Sequence, residues 1–277
     1  MKQQEGYFSE IDHSIFYQFW LPENPPHAVL LIVHGVNEHS GRYEHLAAYF
    51  TEKGYAVYGL DLVGHGKSSG TRSFAKDFSS FINPILTYLK MIKDWQPGLP
   101  VYLVGHSMGG LIGANFLIDH QDQVQGAVLS GSLTLIPDYV SDFTIKIGKL
   151  LSSVLPKMRL LALDSDGISR DKAVVQAYKD DPLVYNGKMT ARISNVMNDG
   201  IARIAADGSK INLPVLLLHG SEDSLCDPDC SIYLHNLISS NNNQLIIYDG
   251  FFHEVYNEPE QRTVFNDVLN WLEDLSG

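Results

Sequence analysis

Val101-Tyr102-Leu103-Val104-Gly105-His106-Ser107-Met108-Gly109-Gly110-Leu111 is the run that decides the fold. Its first four residues read as a short apolar strand, and from Leu111 to about His120 the apolar residues follow a helical spacing. A G-x-S-x-G sequence at such a strand-to-helix turn holds a serine hydroxyl above the sheet. The backbone there is strained and crowded, so flanking glycines leave space that side chains would fill. The same pattern recurs at Gly66-Lys67-Ser68-Ser69-Gly70, but in a glycine-rich loop after Asp61 with no helix of its own. Context therefore selects Ser107 as the candidate nucleophile and leaves Ser68 as a loop serine.

Outward from this run, similar apolar segments recur at 28–33, 55–60, 127–129, 213–218 and 245–248, each bounded by Gly, Asp or Pro. Helical patterns lie between them at 43–53, 78–95 and 111–120, and Val264, Phe265, Val268, Leu269 and Leu272 form one more apolar face. Near-continuous apolar strands alternating with amphipathic helices predict an α/β fold whose mainly parallel sheet is covered on both sides. Two alternating runs, 6–10 and 14–21, predict an antiparallel hairpin at the sheet edge. The rhythm breaks between Leu133 and Leu213, a stretch too long for one crossover and without a convincing strand. It reads as a helical cap, approximately 135–208, inserted into a single domain spanning 1–277.

Twenty basic residues against 32 acidic ones give a net charge of −12, which disfavours phosphate backbones and argues against nucleic-acid partners. No signal-like apolar core and no membrane-spanning run is present, so the chain reads as soluble and cytoplasmic. Cys226 and Cys230 are too few for a disulfide framework and lack further zinc ligands; they read as small buried side chains beside a helix start. Within the inserted stretch the local charge reverses. Lys146, Lys149, Lys157 and Arg159 outnumber Asp138 and Asp142, while Phe143, Ile147, Leu150, Leu151, Val154 and Met158 recur from Val140 at steps of three and four. A basic helix with one apolar face either covers the sheet or docks transiently on a membrane surface, which would make the protein peripheral there.

A serine hydroxyl requires a base, and the base an orienting carboxylate. Asp249-Gly250-Phe251-Phe252-His253 follows the last strand, which makes His253 the base; His219, His34, His65 and His106 sit at strand ends, in other loops or beside the serine. In His219-Gly220-Ser221-Glu222-Asp223, Asp223 is the favoured acid. Glu222 adjoins it and would point elsewhere, and Asp227 before Pro228 suits a helix cap. The chain order Ser, acid, His is that of the α/β-hydrolases. Two backbone donors would hold the oxyanion, Met108 N–H at the helix start and Val36 N–H in the loop His34-Gly35-Val36-Asn37. This chemistry needs no cofactor and no metal.

The segments 34–43, 61–68, 105–110, Asp181-Pro182-Leu183-Val184 and 219–227 resemble the monoacylglycerol lipase and lysophospholipase group of the α/β-hydrolase superfamily, over nearly the whole chain. The resemblance implies an α/β-hydrolase fold with an inserted cap, the triad Ser107, Asp223 and His253, and oxyanion donors at Val36 and Met108. It implies a lipid ester with one acyl chain as substrate, and places Glu38, Arg42 and Tyr178 at the polar alcohol end. On the residues alone, Glu38 and Arg42 read equally as an i, i+4 surface ion pair. Two positions depart from the group: Asn37 replaces a usual glycine, and Tyr256 stands where mammalian members carry a second histidine. A small-ester carboxylesterase or an aminopeptidase-like hydrolase is the alternative on this fold, and a non-catalytic binding protein the alternative outside enzymes.

Overall fold

The computed structural model describes residues 1–136 and 142–276. Ten strands and eight α-helices are distinguished among them. The strands are β1 (Lys2–Glu10), β2 (His13–Leu21), β3 (Ala28–Val33), β4 (Tyr55–Leu60), β5 (Val101–His106), β6 (Gly126–Ser130), β7 (Arg159–Leu161), β8 (Met189–Thr190), β9 (Val215–Gly220) and β10 (Asn243–Tyr248). The helices are α1 (Glu44–Glu52), α2 (Ser79–Trp95), α3 (Met108–His120), α4 (Asp142–Val154), α5 (Lys172–Asp180), α6 (Ala191–Asp207), α7 (Asp229–Leu237) and α8 (Gln261–Ser276).

Eight strands form one sheet in the order β1-β2-β4-β3-β5-β6-β9-β10. The β1–β2 hairpin is antiparallel and joins β4 antiparallel, as the alternating runs at the start of the sequence predict; every other pair is parallel. Burial on both faces explains the continuous apolar runs. In β3, Val29, Leu31 and Val33 belong to the core under α2, α3 and α6, whereas Ala28, Leu30 and Ile32 belong to the opposite core under α1 and α8. The chain runs from β3 outward to β4, then returns to β5 on the other side of β3. The loops after β3 and β5 therefore diverge from neighbouring strand ends and open a crevice, the usual ligand position of such sheets.

Between β6 and β9 lie α4, β7, α5, β8 and α6. Sequence periodicity shows no strand here, yet β7 and β8 pair in a two-stranded sheet of three and two residues, too short for any alternation to register. Of the apolar face expected on α4, Ile147, Leu150 and Val154 are 41–67% exposed and Leu151 is half-buried, and Met158 beyond the helix end is 44% exposed, so most of the described face is turned outward. Val140 falls outside the described residues. α5 forms a small core of its own through Ile168, Val175, Tyr178 and Val184. α6 instead packs on the main body, where Asn115 of α3 donates a 3.1 Å hydrogen bond to the carbonyl of Gly200.

Candidate active site

Ser107 occupies the junction between β5 and α3 with φ 54° and ψ −117°, a strained backbone for any residue but glycine. The neighbours hold it there. A Cβ on Gly109 would lie 2.0 Å from the Val33 carbonyl oxygen, and one on Gly105 would lie 2.5 Å from that of Gly109. Glycine at both places lets β5, the turn and α3 interlock, and Ser107 N–H donates to Ser130 O at 2.8 Å. Met108 N–H opens α3 directly after the serine, while Val36 lies beyond β3 on the other side of the crevice. Asn37 has φ +64°, a left-handed turn that asparagine tolerates better than other side chains, which accounts for asparagine in a glycine's place.

Asp223 follows β9 and is buried. Its Oδ1 accepts from Leu225 N–H and Cys226 N–H, both at 2.9 Å, and its Oδ2 lies 2.6 Å from His253 Nδ1 and 3.0 Å from His219 Nε2. Burial alone would raise this carboxyl, but the charge of His253 and the hydrogen bonds hold it far below the ordinary carboxylate range. With Nδ1–H donated to Asp223, His253 keeps its Nε2 lone pair for a second partner. Burial opposes a charge on His253, yet Asp223 first and then Glu254 and Glu38 outweigh it and lift the pKa above its ordinary value. His219 is a different case. Its Nε2 also lies 2.8 Å from Cys226 O, so it donates there, and its Nδ1 accepts from Ser231 hydroxyl at 2.7 Å. It braces the carboxylate rather than reaching the serine.

Ser107, His253, Gly35, Val36, Glu38, His106, Tyr178 and Glu254 line one small, narrow cavity. Burial holds His34 near pKa 4 and His65 and His106 near 3, so all three are neutral. Ser68 is buried 52 residues in sequence from Phe16, whose N–H it accepts at 2.8 Å, while donating to Asp61 O. Glu222 and Asp227 are exposed, and Asp227 accepts from Asp229 N–H at the start of α7, as a cap does. Cys226 and Cys230 are free and buried.

Glu38 and Arg42 do form the i, i+4 pair, at 2.7 Å, but not a surface one: their side chains are 4% and 10% exposed. Glu38 Oε1 also accepts from Gly35 N–H at 2.6 Å and Tyr43 hydroxyl at 2.8 Å. Arg42 reaches in addition to Glu254, Nη1 to Oε1 at 2.6 Å and Nη2 to Oε2 at 2.7 Å, and its guanidinium lies 4.6 Å from the centre of the Tyr178 ring. Sequence reading missed Glu254. Its one signal was a carboxylate adjoining His253, and its partner lies 212 residues away. Tyr256, by contrast, is buried against Phe265 and not among the groups at the cavity.

The segment between β6 and β9 is tied to this site by specific contacts. His39 Nε2 lies 2.9 Å from Asp181 Oδ2, and Tyr185 N–H donates to Asn37 O at 2.8 Å. Arg170 binds Glu258 and Glu260, while Glu258 accepts from Phe252 N–H, one residue before His253.

The chain is 36% identical over 258 residues to the monoacylglycerol lipase of Mycolicibacterium smegmatis, covering 93% of this chain and 92% of that protein. It is 35% identical over 261 residues to human monoglyceride lipase, covering 93% and 86%. A soluble variant of monoglyceride lipase from Saccharomyces cerevisiae, solved in complex with a substrate analog, superimposes with a TM-score of 0.87 at 25% identity, over 98% of this chain and 94% of that one. The fold is accordingly that of the α/β-hydrolases. A family model described as serine aminopeptidase, S33, matches residues 24–260, a span that takes in every residue placed around the cavity, and on that match the chain belongs to this family.

Proposed function

We propose that the protein is a serine hydrolase that cleaves carboxylic esters of single-acyl-chain lipids, monoacylglycerols first, through an acyl-enzyme. Ser107 attacks the ester carbonyl while His253 Nε2 takes its proton, and Asp223 fixes the tautomer and stabilises the imidazolium. Met108 and Val36 N–H groups stabilise the oxyanion. His253 returns the proton to the departing alcohol, and water repeats the sequence on the acyl-enzyme. Glu38, Tyr178 and the Arg42 behind them border the alcohol. The observation that carries this reading is the 2.6 Å bond from His253 to Asp223, made by a histidine that shares one cavity with a serine on a strained elbow. The names of the most similar relatives support the lipid substrate.

The segment from α4 to β8 acts as a cap, and α4 docks on the lipid surface that holds the substrate. Its outward Ile147, Leu150 and Val154 beside Lys146, Lys149 and Lys157 support that contact, since such a face gains from both acyl chains and anionic headgroups. No helix among the described residues is long and apolar enough to cross a membrane. The test is a hydrolysis profile over monoacylglycerols, lysophospholipids and short p-nitrophenyl esters, with fluorophosphonate labelling of Ser107. Preference for monoacylglycerols with labelling at Ser107 is the expected result. Turnover of short esters alone would leave a carboxylesterase, and no labelling would remove the hydrolase reading.

A further inference from the structure

Glu254 has no part in the triad, yet it is 4% exposed, adjoins the base and faces the cavity that holds Ser107. The ionisable groups around it are Arg42, Glu38, His106, His253 and, beyond His253, Asp223, together with His45, which burial lowers, and Tyr43 and Tyr178, which burial raises, so that none of these three adds a charge. His106 is neutral. Glu38 and Glu254 thus share a single guanidinium, which both already engage, Glu254 with both oxygens. The alcohol side keeps one negative charge in excess, and Asp223 adds another while His253 is neutral.

Such an excess is not screened as a surface charge would be, because the three side chains are at most 10% exposed. An uncharged hydroxyl meets good acceptors there. An anionic group carried on the alcohol meets repulsion, and Arg42, its natural partner, is already taken.

We propose that Glu254 is a specificity-determining residue: together with Glu38 it gives the alcohol subsite a net negative charge that admits uncharged polyols and rejects alcohols carrying an anionic group, phosphate above all. The proposal rests on the ester-hydrolase reading given above, and adds to it the reason a phosphate-bearing lysolipid is the poorer substrate.

Three butyryl esters whose small alcohols carry a positive charge, no charge and a negative charge, those of choline, glycerol and glyceric acid, test it without requiring a long acyl chain. Wild type should turn over the choline and glycerol esters with kcat/KM at least about tenfold above the glycerate ester, the order of effect one unit charge exerts at this depth. Glu254→Gln, which keeps an acceptor for Arg42 and removes the charge, should bring the glycerate ester to within about threefold of the glycerol ester. It should also move the acid limb of the pH profile to lower pH, since a carboxylate that favours the His253 imidazolium is gone. The same contrast is expected between a 1-acylglycerol and its 3-phosphate.

Equal kcat/KM for the three esters in wild type would overturn the charge filter even if the variant fails to fold. An unchanged ratio in folded Glu254→Gln would overturn the role of this residue. Hydrolysis of none of the esters by wild type would instead overturn the ester-hydrolase reading and the filter with it.

Discussion

Replacing Arg42 by Met isolates what its guanidinium does. The substitution keeps much of the aliphatic stem and leaves Glu38 and Glu254, 4% and 5% exposed, without their common partner. Removing one member of a buried ion pair costs about 3–5 kcal/mol, most of it the desolvation of the charge left behind. At roughly 2–4 °C per kcal/mol for a chain of this size, the melting temperature should fall by about 6–20 °C. The loss should depend on pH with a definite sign. In the wild type, burial would raise the Glu254 carboxyl, but Arg42 outweighs it and holds the pKa below its ordinary value, so this group adds stability that is lost only in acid. Without Arg42, burial and Glu38 push the folded pKa above the unfolded one. The carboxyl then destabilises increasingly as pH rises from the unfolded value through the folded one, and the deficit against wild type should be larger at pH 8 than at pH 5. Adding Glu254→Gln to Arg42→Met should recover at least half of the deficit at pH 8. Thermal melts of wild type, Arg42→Met, Glu254→Gln and the double variant at both pH values decide the matter. A deficit equal at pH 5 and pH 8, with no recovery in the double variant, would refute the electrostatic account and leave packing as the cause.

Ser107→Ala should lower kcat by several orders of magnitude with an unchanged melt, whereas Ser68→Ala, which loses the hydrogen bonds to Phe16 N–H and Asp61 O, should cost about 1–3 kcal/mol of stability and leave kcat/KM near wild type; the reverse pattern would exchange the two serines. Because His253 must be neutral to accept a proton and its pKa is raised, kcat/KM should rise through an ionisation above 6.5 and then plateau, and a limb centred below that value would contradict the carboxylate surroundings. Leu150→Glu with Val154→Glu should weaken vesicle binding and turnover of aggregated long-chain substrate while sparing a soluble short ester and the melting temperature, since both side chains are more than 60% exposed; equal losses on both substrates would refute membrane docking.

Sequence periodicity was informative where a property is local. The parallel sheet was legible in segments such as 28–33, because burial on both faces forces every residue of β3 to be apolar, and the elbow was legible because strand, glycines and helix are consecutive. Strand limits were less so: β5 continues through Gly105 and His106, polar in type yet held by pairing with β6. The face of α4 was visible as a pattern, but periodicity says which residues share a face and not whether that face meets the sheet or solvent. Residues brought together from distant parts of the chain left the weakest trace. Glu254 engages Arg42, and Arg170 engages Glu258 across 88 residues, with no spacing rule to announce either. For Glu38 and Arg42 the spacing indicated the contact correctly and its depth not at all.

The order of the sheet has a consequence for how the protein is made. Ser107 is set on its elbow by β3, β5 and α3, all in the first half of the chain, whereas Asp223 and His253 follow β9 and β10, and α8 closes the face beneath Leu30, Val57, Val104 and Val128 only afterwards. In order of synthesis, the serine proposed as nucleophile therefore comes well before the groups proposed to activate it. A nascent or stalled chain holds a hydroxyl with no base and an open hydrophobic face, the kind of intermediate that chaperones recognise. The segments that carry the proposed acid and base, and the helix that covers this face, are thus the last to be synthesised.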